Sequence, residues 1–302
     1  MITINTAKGP FKVESWEDVL ERPGFTPDLD PNQHKLDSVI GRYVFGDMVK
    51  CGLSNCHTPH ARGYIVATKS GLETNIGKDC GKKYFGLDFD YMAKQFDIDM
   101  AAHENRDILW SFSFQVEELE AKIAMLRTSD KGADWVNKNA NALTDPGKLP
   151  LTVTRQIGEL VKQKSGRYTR EREATAQEAE DMETKAGRKL DRPLYITDYE
   201  VNIRGIEALY PENNLRELLI VQILDELKAF KKLSIDELSH AQLIRWKKWA
   251  TSVDLILDNA SASIDHGRVL LTKENLEPLS RLENLNKNGE LQRFLAFIGQ
   301  LC

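Results

Sequence analysis

Three of the four cysteines lie close together in the N-terminal third of the chain. They are Cys51, Cys56 and Cys80, and the fourth cysteine is the last residue. Four cysteines are too few to build a disulfide framework in a chain of 302 residues. Two of the six histidines, His57 and His60, fall in the same window. This clustering predicts a metal site rather than disulfide bonds.

Thiolates and imidazoles are the ligands that zinc prefers in tetrahedral sites. We predict the ligand set Cys51, Cys56, His60 and Cys80. His57 is the substitute for His60, because a side chain directly after a ligand cysteine often points away from the metal. A site closed by four protein ligands contributes on the order of 10 kcal/mol to folding, so the predicted zinc is structural. The alternative interpretation is a small core of three reduced cysteines with two surface histidines.

A catalytic zinc site requires an open coordination position and a nearby base. The sequence contains neither an HExxH pattern nor the His-x-Glu and Cys-x-x-Cys combination of zinc deaminases. His57 would serve as a base only if His60 were a ligand. We therefore predict no catalytic residues.

The window from Cys51 to about Gly86 resembles a treble-clef or zinc-ribbon-like finger. Its order is a ligand-bearing turn, a predicted hairpin and a ligand, Cys80, at the start of a helix. The turn is longer than the Cys-x-x-Cys of such fingers, and only one ligand stands at the helix start. The resemblance covers about 35 residues. It implies a small zinc module of the kind that binds nucleic acid or proteins.

Local sequence patterns predict an α/β module around the cysteines. Ser15-Trp16-Glu17-Asp18 predicts a capped helix start. The β-branched and aromatic residues of 42–45 and 63–68 predict strands, and Ser70-Gly71 predicts a turn into residues 72–76. We expect this zinc-stabilised module to occupy residues 1–99.

A heptad pattern marks the following region, residues 100–192. Apolar residues recur at alternating intervals of three and four, which predicts one helix over residues 100–127 with a coiled-coil-like seam. The seam consists of Leu109, Phe112, Val116, Leu119, Ile123 and Leu126. It would pack internally or against a second copy. Repeated turn signals predict a loop over residues 128–152, with or without one short helix, and the polar residues 153–190 predict a helical arm or a disordered linker.

Broad apolar helical faces continue from residue 193 to residue 302, which predicts a C-terminal helical domain. Ser234 to Glu237 has the pattern of a capping box for a long helix. The predicted fold is therefore mainly α, with a small N-terminal zinc-stabilised α/β module, a coiled helical middle region and a C-terminal helical domain.

The chain as a whole is acidic, with a net charge of −5. Residues 41–86 carry a net charge of the opposite sign, +4, because they contain seven lysines and arginines and only three acidic residues. Cations beside an aromatic ring suit phosphates and bases. The predicted nucleic-acid-binding residues are Arg62, Lys78, Lys82, Lys83 and Tyr84. The alternative is a solvated basic face over a core Phe85.

These observations favour recognition over catalysis. Phosphate-loop, dinucleotide-binding and nucleophile-elbow motifs are missing from the sequence. The first hypothesis is a non-catalytic zinc protein that binds nucleic acid through its basic module. A protein-interaction adaptor or oligomeric structural component is the alternative, and a zinc-dependent hydrolase or nuclease is less favoured. Without a signal-like N-terminus or an apolar run of about 20 residues, we expect a cytoplasmic protein with no membrane partner.

Overall fold

The computed structural model of the chain describes residues 2–6, 9–283, 285 and 289–301. The chain divides into two compact units: Met1–Ser111 with Ser234–Lys248, and Phe112–Leu233 with Trp249–Cys302. A small antiparallel sheet lies in the first unit, and helices dominate the chain. The prediction of a mainly α protein with an α/β part is confirmed. The predicted domain boundaries at residues 99 and 192 stay predictions, and Cys302 lies outside the described residues.

The first unit contains a five-stranded antiparallel sheet. Its strands are β1 (Ile2–Thr6), β2 (Gly9–Val13), β3 (Leu36–Lys50), β4 (Pro59–Thr68) and β5 (Glu73–Ile76). Their order is β2-β1-β3-β4-β5. The two predicted strands lie within β3 and β4, and the predicted turn joins β4 to β5. Helix α1 (Glu17–Leu20) starts as predicted, because Ser15 and Asp18 exchange two hydrogen bonds of 3.2 Å between side chain and backbone.

Each face of this sheet carries its own apolar layer. One layer contains Ile2, Val19 and Ile65, and the other contains Tyr64 and Val66 together with the helix that follows β5. Successive strand residues point to opposite faces, which explains why neighbours in β4 enter different layers. Both faces of the sheet thus carry buried apolar residues, and the cysteine cluster belongs to the layer that the long helix covers.

That helix, α2 (Lys78–Ser113), is interrupted at Gly86. Gly86 has φ 66° and ψ −143°, a conformation that residues with a Cβ rarely adopt. The interruption separates a first arm, residues 78–85, from a second arm, residues 87–113. The second arm buries Phe89, Ala93, Phe96 and Met100 at helical spacing against the sheet.

The rest of the chain is helical apart from one small antiparallel sheet. Its helices are α3 (Val116–Thr128), α4 (Ala133–Leu143), α5 (Leu151–Lys162), α6 (Ala176–Ala186), α7 (Glu226–Phe230), α8 (His240–Ala250), α9 (Val253–Leu270), α10 (Lys273–Leu276) and α11 (Glu290–Gly299). A π-helix spans Glu217–Asp225, and short 3-10 helices span Ile206–Leu209, Pro211–Asn213, Ile235–Glu237 and Glu277–Arg281. The sheet pairs β6 (Arg167–Glu173) with β7 (Tyr195–Asn202).

The prediction of one continuous helix over residues 100–127 is wrong. Helix α2 ends at Ser113, and α3 begins at Val116 after a turn at Phe114 and Gln115. The amide of Gln115 donates to the Phe112 carbonyl over 3.0 Å, which closes this turn. Heptad spacing depends only on which residues are apolar. The same spacing can therefore continue across a turn of two residues that separates two helices.

The helical arm predicted over residues 153–190 is also different in the structure. Helix α5 is followed by strand β6 and then by α6, which begins with a capping box between Thr175 and Glu178. Strand β6 is polar, but charge pairs with β7 stabilise it, such as Arg170 with Asp198 at 2.8 Å. Because β7 lies far along the chain, local periodicity did not indicate the strand.

The predicted capping box at Ser234 does not start a long helix. A 3-10 helix occupies Ile235–Glu237, and the cap of α8 is Ser239, whose amide and hydroxyl both donate to the Gln242 side chain. Over the residues that the structure describes, the helices are too short or too polar to cross a membrane.

Candidate metal centre and basic surface

Three predicted ligands meet in the first unit. Cys51 follows β3, Cys56 lies in the loop between β3 and β4, and Cys80 lies in the first turn of α2. Their sulfur atoms all lie within 4.8 Å of one another, and the sulfurs of Cys56 and Cys80 are 3.2 Å apart. A group of three thiols at this spacing could hold a metal ion.

The loop between β3 and β4, which we call the knuckle (residues 51–58), folds by backbone hydrogen bonds. The amides of Cys56 and His57 donate to the Leu53 carbonyl over 3.0 and 3.3 Å, and the Cys51 amide donates to the Thr58 carbonyl over 3.1 Å. His57 adopts a φ of 48°, in the left-handed region, as the turn closes. These bonds place Cys51 and Cys56 on the same side of a short loop.

Backbone amides also point at the sulfur atoms. Leu53 and Gly77 donate to Cys51, and Thr58 donates to Cys56 through its amide. The Thr58 hydroxyl lies 3.3 Å from the Cys56 sulfur. Donors of this kind stabilise thiolates and are typical of the surroundings of metal-bound cysteines.

The three thiols differ in acidity. Burial raises the pKa of Cys51 despite its amide donors. Burial also acts on Cys56, but hydrogen bonds from Thr58 and the two other thiols outweigh it and lower the pKa of Cys56 to about 7. Burial together with the neighbouring thiols raises the pKa of Cys80 to about 12. Three thiolates so close together repel one another, and a divalent cation removes that repulsion.

The glycines near the cysteines allow close packing of the chain. A Cβ on Gly52 would overlap the Thr74 hydroxyl, and a Cβ on Gly81 would overlap the ring of Phe89. Gly81 therefore allows the first arm of α2 to lie directly against Phe89 of the second arm. This contact holds the helix turn that carries Cys80 in place.

The structure does not place His60 among the three sulfurs. Its Nδ1 lies 2.8 Å from the Val49 carbonyl, which can only accept, so Nδ1 donates. Its Nε2 lies 3.2 Å from the Tyr43 hydroxyl. A Cβ on Gly77 would overlap the His60 ring. Both ring nitrogens thus have partners other than the thiols, and this geometry gives no support to His60 as a ligand.

His57, the predicted substitute, lies on the knuckle. Its Nδ1 is 3.1 Å from the Cys51 carbonyl and donates to it, and its Nε2 is 3.4 Å from a carboxylate oxygen of Asp28. The side chain is half exposed. His57 is therefore outside the group of three sulfurs, but it is attached to the same loop.

The predicted nucleic-acid-binding residues are all in the first unit. Lys78, Lys82 and Lys83 are exposed on the first arm of α2, and Arg62 is exposed on β4. Lys82 lies 3.3 Å from Asp90 as an ion pair.

Tyr84 is less accessible than these basic residues. It is partly buried, and its hydroxyl donates to the Asn55 carbonyl over 3.4 Å. The Lys83 ammonium lies 5.1 Å from its ring centre. Phe85, the core residue of the alternative interpretation, is partly buried against the apolar layer. The first arm thus combines a basic outer face with an anchored inner face.

Sequence analysis missed Lys94 of the second arm, which lines the same cleft as Lys78 and Lys82 of the first, and Tyr91, which lies three residues before Lys94. Both are exposed. They follow the basic window of residues 41–86, and only the interruption at Gly86 brings the second arm alongside the first. The one available signal was a lysine at helical spacing from an aromatic residue.

The heptad seam is mostly buried. Leu109, Val116, Leu119 and Ile123 are at most 9% exposed, and Leu126 is partly buried. The ring of Phe112 packs edge-on against Phe230 and Trp249, with ring centres 5.4 and 5.2 Å apart. The seam side chains thus serve packing within the chain.

Comparison with known proteins gave no match. Neither a family model, nor a curated protein, nor a solved structure is similar to this chain.

Proposed function

We propose that the chain is a non-catalytic zinc-binding protein that binds nucleic acid through the basic surface of its first unit. The observation that carries the proposal is the group of three cysteine sulfurs within 4.8 Å, one of which lies on the arm with Lys78, Lys82 and Lys83. A metal ion bound there connects the basic arm to the sheet.

Zinc is the metal that this donor set favours. Thiolates are soft ligands, and sites with three or four cysteines are typical of structural zinc. We propose His57 as the fourth ligand, because its ring already lies on the knuckle and is half exposed. His60 is the weaker candidate, because its Nε2 lies 3.2 Å from the hydroxyl of the fully buried Tyr43. Nε2 of His57 lies 3.4 Å from an exposed carboxylate of Asp28, a partner that a metal ion can replace.

The role proposed for zinc is structural. It joins the end of β3, the knuckle and the first turn of α2. Binding at such sites contributes on the order of 10 kcal/mol to folding, so removal of the ion should disorder the knuckle and the first arm.

The basic surface supplies the proposed contacts to nucleic acid. Lysine and arginine side chains neutralise phosphates and release counterions, which makes binding fall steeply with salt. Lys78, Lys83 and Arg62 are exposed and form no ion pair with any residue that the structure describes. Their charge is therefore available to a phosphate backbone.

The two other hypotheses have less support. An adaptor that uses the heptad seam, or a coiled coil formed by it, would need side chains that are buried within the chain. A zinc hydrolase would need a base beside an open coordination position, and His57 donates one nitrogen to Cys51 while the other faces Asp28.

The first test is the metal content of the purified full-length chain. We expect one zinc per chain, lost in Cys56→Ser and Cys80→Ser. If these variants do not fold, cobalt substitution of the wild-type chain provides a second measurement, in which thiolate coordination gives strong charge-transfer bands. An ordered chain that binds neither zinc nor cobalt would contradict the proposal.

The second test is binding to labelled oligonucleotides, followed by fluorescence anisotropy at several salt concentrations. We expect affinity to fall with salt and to decrease strongly in Lys78→Glu/Lys82→Glu/Lys83→Glu. Lys69→Glu is the matched control, since it reverses an exposed lysine at the turn between β4 and β5. An affinity independent of salt would argue against phosphate contacts.

A further inference from the structure

The interruption of α2 forms a cleft between the two arms of the helix. The cleft has a volume of about 400 Å³. It is lined by Lys78, Asp79 and Lys82 of the first arm, by Asp90, Ala93, Lys94 and Asp97 of the second arm, and by Tyr64 of β4. Because all of these residues belong to the first unit, the cleft is a feature of that unit alone.

Most of the acidic groups in the cleft already have partners. Asp97 accepts from Arg42 over 3.1 Å with one oxygen and from the Tyr64 hydroxyl over 2.9 Å with the other. Asp90 pairs with Lys82 at 3.3 Å. These contacts neutralise two of the three carboxylates that line the cleft.

Lys78 of the first arm and Lys94 of the second arm are the lysines of the cleft that remain. In the described part of the chain neither lysine forms an ion pair, and both are exposed. The remaining acidic neighbour is Asp79, so the unpaired groups carry a net positive charge. Two ammonium groups that line the same cleft, one from each arm, can contact a single phosphate group.

The size of the cleft indicates what form of nucleic acid would enter it. Ligand pockets of roughly 300 to 1,000 Å³ enclose a small molecule, so this cleft accommodates about one nucleotide. A duplex keeps its bases stacked inside and is too wide to enter. A single strand can place one nucleotide in the cleft and leave its neighbours outside.

An exposed aromatic residue is a helical neighbour of a lysine that lines the cleft. Tyr91 is 71% exposed, and it stands three residues before Lys94 on the same helix, where side chains are neighbours. Leu87, one turn earlier, is 82% exposed. Exposed aromatic rings next to lysines are stacking sites for unpaired bases.

From this arrangement we infer that the cleft of α2 binds single-stranded nucleic acid, with a phosphate between Lys78 and Lys94 and an unpaired base on Tyr91. The inference rests on the proposed function and specifies its partner. Arg62 extends the same surface, because it lies two residues from Tyr64 and therefore on the same face of β4.

The test compares a labelled 20-nucleotide thymidine strand with a 20-base-pair duplex, using the zinc-loaded full-length chain at equal salt. We expect the single strand to bind at least tenfold more tightly. Tyr91→Ala should weaken single-strand binding roughly 5- to 150-fold, the equivalent of one lost stacking contact. Tyr91→Phe should retain most of the affinity, because the ring remains.

Lys94→Glu should weaken binding to the single strand and lower its dependence on salt, since one phosphate contact is lost. Tyr195→Ala and Lys69→Glu are matched controls. They change an exposed tyrosine of the second unit and an exposed lysine away from the cleft. Both controls should bind like the wild type.

The outcomes separate this inference from the proposed function. If the duplex binds as tightly as the single strand and Tyr91→Ala has no effect, while the triple lysine variant still loses binding, the inference falls and the proposed function stands. If neither probe binds at low salt, the proposed function falls with it.

A measurement on the wild-type chain removes the dependence on folded variants. A strand that carries 5-bromodeoxyuridine crosslinks on irradiation to aromatic side chains that it contacts. Crosslinks at Tyr91 support the inference, and crosslinks confined to other tyrosines contradict it.

Discussion

The Tyr43 hydroxyl lies 3.2 Å from Nε2 of His60. Asn75 donates to the same hydroxyl over 3.2 Å and to the Lys50 carbonyl over 2.8 Å. With the bond from His60 to Val49, these contacts form a continuous network beneath the knuckle. His60 thus positions the backbone that leads into Cys51, without contacting the sulfurs.

His60→Ala should therefore destabilise the chain while leaving its metal content unchanged. Loss of the imidazole removes one hydrogen bond from the Tyr43 hydroxyl, which keeps Asn75 as a partner, and one from the Val49 carbonyl. Such a loss costs about 1–3 kcal/mol in the free energy of unfolding. Denaturant titration and zinc analysis measure the two effects. His57→Ala is the comparison, and the proposed ligand set predicts that it shifts the cobalt spectrum. If the cobalt spectrum shifted in His60→Ala and not in His57→Ala, His60 would be the ligand and His57 would not.

Gly81→Ala should lower stability through the contact between the two arms of α2. The new methyl group would overlap the ring of Phe89, which is fully buried, and such overpacking costs about 1–3 kcal/mol. Gly46→Ala is the matched control, because the structure shows open space around that position. Thermal unfolding of the zinc-loaded chain measures both. Equal stability of the two variants would show that the arms can move apart.

Glu178 should make the start of α6 sensitive to acid. Hydrogen bonds from Arg172 and from the amide and hydroxyl of Thr175 lower the pKa of Glu178 to about 2. Because this pKa is depressed in the folded state, its stabilising effect is present above the ordinary value of 4.5 and is lost as the pH falls through about 2. Carboxyl titration by NMR measures the midpoint. In Arg172→Met the midpoint should rise toward 4.5, and an unchanged midpoint would contradict the role of Arg172.

Leu119→Asp should unfold the second unit, since Leu119 is 9% exposed within the seam. Placing a carboxylate in an apolar layer costs several kcal/mol. Met125→Asp, on the same helix, changes a side chain that is 64% exposed and should leave the free energy of unfolding nearly unchanged. Denaturant titration compares the two variants, and sedimentation reports their oligomeric state. If Leu119→Asp stayed folded and instead dissociated an oligomer, the seam would be an interface between copies of the chain.

Several features could be predicted because their cause is local. The cysteine spacing indicated the group of three sulfurs, the β-branched runs indicated β3 and β4, and Ser15 indicated the start of α1. In each case neighbouring residues contribute most of the interaction: a turn closes on its own backbone, a cap bonds within one helical turn, and a strand alternates residue by residue. The chain order alone therefore determined a thiol cluster between two strands and a helix.

Tertiary structure decided which groups meet across long separations. Tyr43 contacts His60, β7 pairs with the polar β6, and the interruption at Gly86 brings Lys94 of the second arm of α2 into the same cleft as Lys78. Residue types and local spacing do not encode these contacts, because each contact depends on how distant elements of the chain pack together. The sequence therefore predicted the three clustered thiols, whereas the hydrogen-bond partners of the imidazoles and the shape of the cleft depend on tertiary packing.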